Sequence, residues 1–277
     1  MKQVVSAIER LASSFNGLGL WRCEQSVWGR RMRASTFDRN LYLWMHRLGL
    51  MGAAEREVLG YLVRPGMVVL DVGANMGLYS LLLAQLVGPA GRVVSFEPDP
   101  DLFSLLRGNC AANGATNVES HHLALGRRPE RMLLHRPALN SGDTHLGSAG
   151  AAGFRPPVEV DVASLDSLMP GLRPDFIKVD VQGWELEVLR GMEGTLRAAE
   201  NVGVFLEICP KWLRRAGESP EEIYRFVRGL GFRFFSCSDW AEMDEASFLS
   251  LAARMTGEAH VDLLAARRAP QAVVPAG

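Results

Sequence analysis

Residues 68–77 read Val-Val-Leu-Asp-Val-Gly-Ala-Asn-Met-Gly, an apolar run followed by a turn with two glycines. The apolar run predicts a buried strand over Val68–Val72. A helical apolar pattern follows over residues 76–87. Gly73 and Gly77 permit backbone dihedrals that side chains disfavour. We expect an anionic or carboxylate-bearing ligand at this turn, because the start of a helix offers free N–H groups and a positive dipole end.

The same alternation of short apolar runs and helical patterns continues through most of the chain. Further strands are predicted at residues 92–97, 118–123, 175–181, 202–208, 232–236 and 260–265, with helices at 99–113, at 184–197 and from Ser219 onward. Strands that alternate with helices predict an α/β fold, with a mostly parallel sheet and helices on both faces. With Val68–Val72 included, the predicted sheet has seven strands.

Three segments depart from this alternation. Residues 137–157 are rich in Gly, Ala, Ser and Pro, which predicts a long loop that is either functional or disordered. Residues 1–15 have an amphipathic helical pattern, carried by Val4, Ile8, Leu11 and Phe15. We therefore predict a helical cap or lid over residues 1–60, a main domain over 61–268 and a flexible tail over 269–277.

Composition restricts the class of protein. The chain has 277 residues, 48% hydrophobic and 22% charged, with a net charge of −1. Such values are typical of a globular protein, and nucleic acid as the main partner would favour a more basic chain. No segment approaches about 18 uninterrupted apolar residues, and the four cysteines form no Cys-x-x-Cys pair. We expect a cytoplasmic protein with no membrane span, no signal peptide and no zinc cluster.

Charge is unevenly distributed along the sequence. Ten basic and five acidic residues lie within residues 1–66, a net charge of +5, and the remainder carries −6. The basic segment is either a separate cap or a solvated surface with an accidental excess of charge. Whether it faces a membrane, an anionic substrate or water stays open at this point.

The glycine turn distinguishes two classes of cofactor. A dinucleotide fingerprint needs glycine at three positions, which here hold Gly73, Asn75 and Leu78. The spacing Asp-x-Gly-x-Asn-x-Gly instead resembles the first motif of S-adenosylmethionine-dependent methyltransferases. Glu97 ends the next strand, where a carboxylate can accept hydrogen bonds from both hydroxyls of a ribose. Both features fall at the carboxyl ends of adjacent strands, which is where open α/β sheets bind ligands.

A charged pair interrupts a later apolar strand. Residues 176–185 read Phe-Ile-Lys-Val-Asp-Val-Gln-Gly-Trp-Glu, so that Lys178 and Asp180 share one face of the strand. Charges inside an apolar strand are costly unless they are paired or functional. The pair is therefore either a buried ion pair or part of a reaction centre.

Together these motifs resemble the FkbM-type methyltransferase family. The matching runs are residues 71–80, 96–100 and 177–183 with Glu185, and the spacing of Asn109, Asn113, Asn117 and residues 123–126 also fits. The resemblance covers residues 66–235 and implies a class I methyltransferase (Rossmann-like) fold with S-adenosylmethionine as the methyl donor. It implies donor contacts from Asp71, Gly73, Asn75, Gly77, Tyr79, Ser80, Glu97, Pro98 and Ala124. Gln182 stands where the family more often has Glu.

Methyl transfer from a sulfonium requires the enzyme to align the acceptor and remove its proton. Asp180 is the first candidate for the general base or for the group that positions the acceptor. Lys178 is expected either to tune Asp180 electrostatically or to donate a hydrogen bond to the substrate oxygen. His145 is a second candidate base. The expected substrate contacts are Asn140, Trp184 and Glu207. Mg²⁺ held by Asp180, Glu207 and Asn140 remains an alternative, although no spacing demands a metal.

Family members typically methylate hydroxyls on sugars or natural products. We therefore expect O-methylation of a small natural product, sugar or glycolipid. The alternatives are N-methylation on the same scaffold and a cofactor-binding module without turnover. The Asn/Asp-Pro-Pro-Tyr signature of many N-methyltransferases is absent, and Asp180-Val-Gln-Gly183 occupies its place. The expected partner is a small-molecule acceptor, and a homodimer is left open.

Overall fold

Strands and helices alternate along most of the chain, and the computed structural model describes residues 23–137, 144–146, 154–257 and 259–270. The strands are β1 (Cys23–Val27), β2 (Arg30–Ala34), β3 (Val68–Val72), β4 (Arg92–Phe96), β5 (Val118–His121), β6 (Ala124–Leu125), β7 (Glu130–Pro137), β8 (His145–Leu146), β9 (Phe154–Ala163), β10 (Phe176–Val179), β11 (Gly203–Ile208), β12 (Arg233–Ser236), β13 (Glu242–Met243) and β14 (Val261–Ala266). The helices are α1 (Phe37–Arg47), α2 (Ala53–Leu62), α3 (Leu78–Val87), α4 (Pro100–Ala112), α5 (Leu165–Leu168), α6 (Glu185–Gly191), α7 (Glu193–Ala198), α8 (Pro210–Ala216), α9 (Pro220–Gly229) and α10 (Glu245–Arg254).

The central sheet confirms the predicted α/β class. Its strand order is β13-β12-β14-β11-β10-β3-β4-β5, and the five strands from β11 to β5 run parallel. Strand β14 is antiparallel to both of its neighbours, β11 and β12. Eight strands are therefore present among the described residues instead of the predicted seven. The additional strand, β13, has two residues at the sheet edge, too few to produce a readable pattern.

A second sheet, of order β6-β9-β7-β8, occupies part of the predicted long loop. Residues 158–162 alternate valine with acidic residues, and Val160 and Val162 are buried. This is the pattern of a half-buried strand. Pro156 and Pro157 directly precede this pattern. Prolines are typical of loops, and the loop prediction therefore extended to residue 157. The loop prediction was therefore wrong for β8 and for the first residues of β9.

The described part of the predicted helical cap begins with a β hairpin. Strands β1 and β2 pair antiparallel around Trp28 and Gly29, whose φ angles of 51° and 77° suit a two-residue hairpin turn. Helices α1 and α2 follow. The cap is thus not wholly helical. The hairpin was not predicted because the arginine-rich strand β2 looks polar in the sequence, although Met32 and Ala34 are buried. The predicted helix over residues 1–15 lies outside the described residues, as do residues 271–277 of the predicted tail.

Alternation along the strands gives the central sheet two apolar faces. Leu70 and Val72 of β3 belong to the apolar cluster that includes α6, α7 and α9. Val69 belongs to the cluster on the other face, with residues of α2 and α3. Lys178 of β10 lies beside Asp71 of β3 in the sheet register, on the same face as Val69. Two charged groups are therefore placed beneath the carboxyl ends of the central strands.

Candidate active site

A cleft opens above the carboxyl ends of β3, β4 and β10 and contains about 910 Å³ of empty space, part of it open to solvent. This is the position at which open α/β sheets bind their ligands. Its lining includes nine of the residues predicted for the site: Gly73, Asn75, Tyr79, Glu97, Pro98, Ala124, His145, Asp180 and Trp184. Residues far apart in the sequence thus share one cleft, as the motif analysis predicts.

Three residues of the turn between β3 and α3 have left-handed backbone conformations. The φ angles of Gly73, Asn75 and Gly77 are 86°, 52° and 91°. A Cβ atom on Gly73 would lie 1.9 Å from the backbone oxygen of Asp180, and one on Gly77 would lie 2.7 Å from Leu106 Cδ1. In this chain both glycines therefore make room for neighbouring protein, in addition to permitting the dihedrals.

Glu97 is buried at the end of β4 and accepts two backbone hydrogen bonds. Asn75 N donates to Oε2 at 2.8 Å, and Asp99 N donates to Oε1 at 2.8 Å. Each carboxylate oxygen has a second lone pair that can accept a further donor. Burial raises the pKa of Glu97 to about 8, against the lowering effect of the Asp99 amide.

Three of the predicted donor-binding residues lie away from the cleft lining. Asp71 is fully buried, and Ser80 Oγ donates to its Oδ2 at 2.6 Å. Ser95 Oγ donates in turn to Ser80 Oγ at 3.0 Å. Gly77 lies against Leu106 of α4. The structure therefore places Asp71, Ser80 and Gly77 where they support the turn from below.

Lys178 and Asp180 form an ion pair at the end of β10. Lys178 Nζ lies 2.9 Å from Asp180 Oδ2 and 4.8 Å from the centre of the Tyr79 ring. Burial alone would lower the pKa of Lys178, but the charges of Asp180 and Asp71 outweigh it and raise that pKa. Burial would raise the pKa of Asp180, but Lys178 holds it below its usual range. Lys178 is buried, whereas the Asp180 side chain is 27% exposed and lines the cleft.

Gln182 links Asp180 to a second carboxyl group. Its Nε2 donates to Asp180 Oδ1 at 3.0 Å and to Glu207 Oε1 at 3.1 Å. Burial and the nearby charge of Asp180 raise the pKa of Glu207 well above its usual value. Gln182 lines the cleft, whereas Glu207 does not, so that Glu207 reaches it through the Gln182 amide. In the sequence, Gln182 is only a departure from the family pattern, and no role is predicted for it.

His145 lies in the wall of the cleft on strand β8. Its side chain is buried and stacks on the ring of His135, with ring centres 5.5 Å apart. His145 is therefore a buried residue of the cleft wall, although it lies within the predicted long loop. Trp184 lines the same cleft at the start of α6. Asn140, the third predicted substrate contact, lies outside the described residues.

Tyr42 lines the cleft, although the motif analysis did not select it. It comes from α1, more than a hundred residues from the Lys178 motif, and its ring centre lies 4.2 Å from that of His46. Burial and the charge of Asp180 raise the pKa of Tyr42 well above its usual value. Its sequence signal, an aromatic residue four before a histidine on a helix, is too common to have identified it. Phe96, Leu102, Leu123 and Leu125 add apolar wall.

The described residues contain neither a metal-binding cluster nor a membrane-spanning helix. No group of three or more His, Cys, Asp or Glu side chains in residues 23–137, 144–146, 154–257 and 259–270 is arranged to hold a metal ion. No helix within the same ranges has the length and apolar character needed to cross a membrane.

Comparison with known proteins identifies the family. Residues 71–234, more than half of the chain, match the family model described as the methyltransferase FkbM domain. The chain belongs to the FkbM methyltransferase family. The match includes the β3–α3 turn, Glu97 and the Lys178–Asp180 pair, and it confirms the resemblance drawn from the motifs. This FkbM-family chain therefore belongs to a family of methyltransferase enzymes.

Named relatives of this FkbM-family chain cover part of its length. Methyltransferase 1 of Beauveria bassiana is 28% identical over 45% of the chain and 58% of its own length. Hexuronic acid methyltransferase AglP of Haloferax volcanii is 25% identical over 58% and 61%. The 31-O-demethyl-FK506 methyltransferase FkbM of Streptomyces tacrolimicus is 31% identical over 48% and 62%. The chain thus spans about three fifths of each relative.

Among solved structures, methyltransferase FkbM from Methylobacillus flagellatus is similar to this chain. It shares 15% identity, with a TM-score of 0.43, over 93% of this chain and 58% of its own length.

Proposed function

We propose that this chain transfers a methyl group from S-adenosylmethionine to a hydroxyl of a small natural product, a sugar or a glycolipid. One observation carries the proposal: the same cleft contains Glu97 at the end of β4 and Asp180 at the end of β10. The first is suited to hold the donor, and the second is suited to receive the acceptor. Two named relatives support this class of acceptor, since their names specify a hexuronic acid and a demethylated oxygen of FK506.

The residues of the cleft fit the donor by their chemistry. Glu97 retains lone pairs for the two ribose hydroxyls after accepting the Asn75 and Asp99 amides. Apolar side chains, Phe96 and Leu102 among them, offer a dry surface to an adenine ring. S-adenosylmethionine supplies an activated methyl group, so that the protein need not activate it. The β3–α3 turn favours this donor over a dinucleotide, because Asn75 and Leu78 stand where a dinucleotide fingerprint needs glycine.

Asp180 is the residue we assign to the acceptor hydroxyl. Its two oxygens accept hydrogen bonds from Lys178 and Gln182, which fixes the orientation of the carboxylate. Lys178 keeps the pKa of Asp180 low, so that Asp180 is ionised at neutral pH. An ionised carboxylate can align a hydroxyl through its hydrogen and take up the proton as the new C–O bond forms. The bond between the methyl group and the donor sulfur breaks in the same step, and S-adenosylhomocysteine leaves as a neutral thioether. His145 is the second candidate for that proton.

Cytoplasmic placement is part of the same proposal. Cys23, Cys110, Cys209 and Cys237 are all unpaired thiols in the described structure. Unpaired thiols are common where the surroundings are reducing.

The test of this function is an Asp180→Asn variant compared with an Asp161→Asn control. Asp161 is an exposed carboxylate on β9, paired with Arg131. Calorimetry with S-adenosylmethionine measures donor affinity, with NAD as the control ligand. Transfer of labelled methyl to a library of hydroxyl-bearing and amine-bearing compounds measures turnover. We expect Asp180→Asn to lower turnover by about 10²–10⁴-fold, with little change in donor affinity.

Each alternative gives a different result in this experiment. Equal turnover in the Asp180→Asn and Asp161→Asn variants would place the proton acceptor elsewhere, and His145→Ala would be the next variant. Methylation of amines alone would replace O-methylation by N-methylation. Donor binding without transfer to any compound would contradict turnover and support a cofactor-binding module.

A further inference from the structure

Helix α1 exposes a stripe of large apolar side chains on its outer face. Leu41, Trp44 and Leu48 are 45%, 57% and 63% exposed, and their spacing of three and four residues places them on one side of the helix. Leu50, 68% exposed, and Met51 continue the surface past the end of the helix. We call these five residues the α1 ridge. Of the seven exposed large hydrophobic residues in the described structure, five belong to it.

The opposite face of α1 is already used by the protein. Leu43 is fully buried, and Tyr42 forms part of the cleft wall. The ridge is therefore not the core-facing side of an amphipathic helix. It is a second apolar face, on a helix whose first face is packed. Exposed apolar surface concentrated in this way typically marks an interaction site.

Charge complementarity indicates what covers the ridge. The described residues 23–66 include seven basic and four acidic residues, a net charge of +3. Arg47 follows Trp44 by three residues on α1 and is exposed. A tryptophan and leucines beside arginine are the side chains that settle at a lipid–water boundary, with the cations attracted to anionic headgroups.

We propose that the α1 ridge docks this protein on an anionic lipid surface. A second copy of the chain fits less well, because a two-fold contact through the ridge would bring two positively charged segments together. Docking is peripheral, through one helix face and the residues that follow it.

The proposal places the cleft close to the lipid surface. Tyr42 faces the cleft from the side of α1 opposite the ridge, and a helix with its side chains is about 10–12 Å across. Lipid docking does not depend on methyl transfer. It does determine which acceptors would be within reach if the proposed methyl transfer holds.

The experiment is co-sedimentation of the full chain with vesicles, in the absence of donor and acceptor. Vesicles of phosphatidylcholine alone are compared with vesicles that also contain phosphatidylserine, at low and high salt. The variant Trp44→Ser/Leu48→Ser removes two ridge side chains. Leu133→Ser is the matched control, because Leu133 is 50% exposed on β7, in the second sheet. Circular dichroism and thermal unfolding check that each variant folds.

We expect the unmodified chain to bind vesicles with phosphatidylserine, and salt to weaken that binding. The double variant should bind at least about tenfold more weakly, since two apolar side chains no longer leave water. Leu133→Ser should bind as the unmodified chain does. These results are independent of whether the chain transfers methyl groups.

Three results would overturn the proposal. The first is no binding to anionic vesicles at low salt. The second is a dimer in light scattering that the double variant abolishes, which would assign the ridge to a second copy. The third is low labelling of the Trp44 and Leu48 side chains by hydroxyl radicals in the free monomer, which would assign the ridge to residues 1–22 of the same chain.

Discussion

Glu97 is a carboxyl group that the fold both buries and supplies with donors. Burial favours its neutral form and raises its pKa to about 8, while the Asn75 and Asp99 amides favour the ionised form. Without a bound donor, Glu97 is therefore largely protonated near neutral pH. A ribose brings two further hydroxyl donors, which favour the carboxylate. Binding of the proposed donor is thus coupled to loss of a proton from Glu97.

The coupling predicts a pH dependence for donor affinity. A pKa of about 8 means that ionisation is incomplete at pH 7 and nearly complete at pH 9. We expect the affinity for S-adenosylmethionine to rise over this interval, because a growing fraction of Glu97 is already ionised. Glu97→Gln should bind about 2–3 kcal/mol more weakly at pH 9, the scale of lost charge-assisted hydrogen bonds. Calorimetric titrations at several pH values measure both effects.

The amino group of S-adenosylmethionine also titrates between pH 7 and 9 and can change the affinity by itself. The Glu97→Gln variant controls for this effect, because it binds the same donor without the Glu97 carboxyl group. Only the difference between the two pH profiles reports on Glu97. If the two profiles run parallel from pH 7 to 9, ionisation of Glu97 has no part in donor binding.

Among the secondary-structure elements, the contact between the β3–α3 turn and the end of β10 positions the chemistry. Asp180 N donates to Val72 O at 3.0 Å, and the backbone oxygen of Asp180 occupies the space in which Gly73 would carry a side chain. The residue assigned to the acceptor is therefore in backbone contact with the turn assigned to the donor. A disturbance of the turn must move Asp180 as well.

The variants Gly73→Ala and Gly66→Ala separate the cost of a left-handed dihedral from the cost of a steric clash. Both positions have a φ of 86°, but a Cβ on Gly66 meets no atom within 4 Å. Gly66→Ala should cost about 1–2 kcal/mol of unfolding free energy for the dihedral alone. Gly73→Ala adds a clash with Asp180, so we expect a further loss of about 1–3 kcal/mol. Urea unfolding of both variants measures the difference in unfolding free energy. Equal losses of unfolding free energy would show that the turn accommodates the added Cβ atom of Gly73→Ala without further strain.

The elements that carry the family motifs were predictable because their signals are local. The helix predicted from Ser219 is α9, with Ser219 as its N-terminal cap, and the helix predicted from residue 99 is α4, which Asp99 caps. The second sheet was not predicted, because the strand pattern of residues 158–162 follows two prolines and a glycine-rich stretch. Tyr42 was not predicted for the cleft, since only tertiary packing brings α1 beside Asp180. Hence the motifs predicted which residues at the carboxyl ends of β3, β4 and β10 share the cleft, and they could not predict the contribution of α1.

At the scale of the whole molecule, the N-terminal hairpin is attached to the methyltransferase body through two asparagines of the α4 region. Asn109 accepts from Arg33 N at 2.8 Å and donates to Arg33 O at 3.2 Å. Asn113 repeats the arrangement with Arg31 N and Arg31 O, at 2.9 and 2.7 Å. Side-chain amides thus pair with β2 as a neighbouring strand would. The predicted boundary near residue 60 stays a prediction, but these contacts favour joint unfolding of the hairpin and the body.

The two asparagines differ in one respect, and that difference yields a test. Asn109 is fully buried and also donates to Met76 O in the β3–α3 turn at 2.8 Å, whereas Asn113 lies nearer the surface. Asn109→Ala therefore leaves buried backbone groups of both the hairpin and the turn without partners. We expect it to cost about 3 kcal/mol of unfolding free energy and to weaken S-adenosylmethionine binding. Asn113→Ala should cost about 1 kcal/mol and leave donor affinity unchanged.

Urea unfolding and calorimetry on the same two variants decide whether the hairpin and the turn are coupled. If Asn109→Ala loses stability but keeps full donor affinity, Asn109 holds the hairpin without shaping the turn. If both variants lose donor affinity equally, the hairpin itself supports the cleft. Only a loss of affinity confined to Asn109→Ala shows that one buried amide couples the N-terminal segment to the donor-binding turn, since the hydrogen bond to Met76 O is the contact that Asn113 lacks.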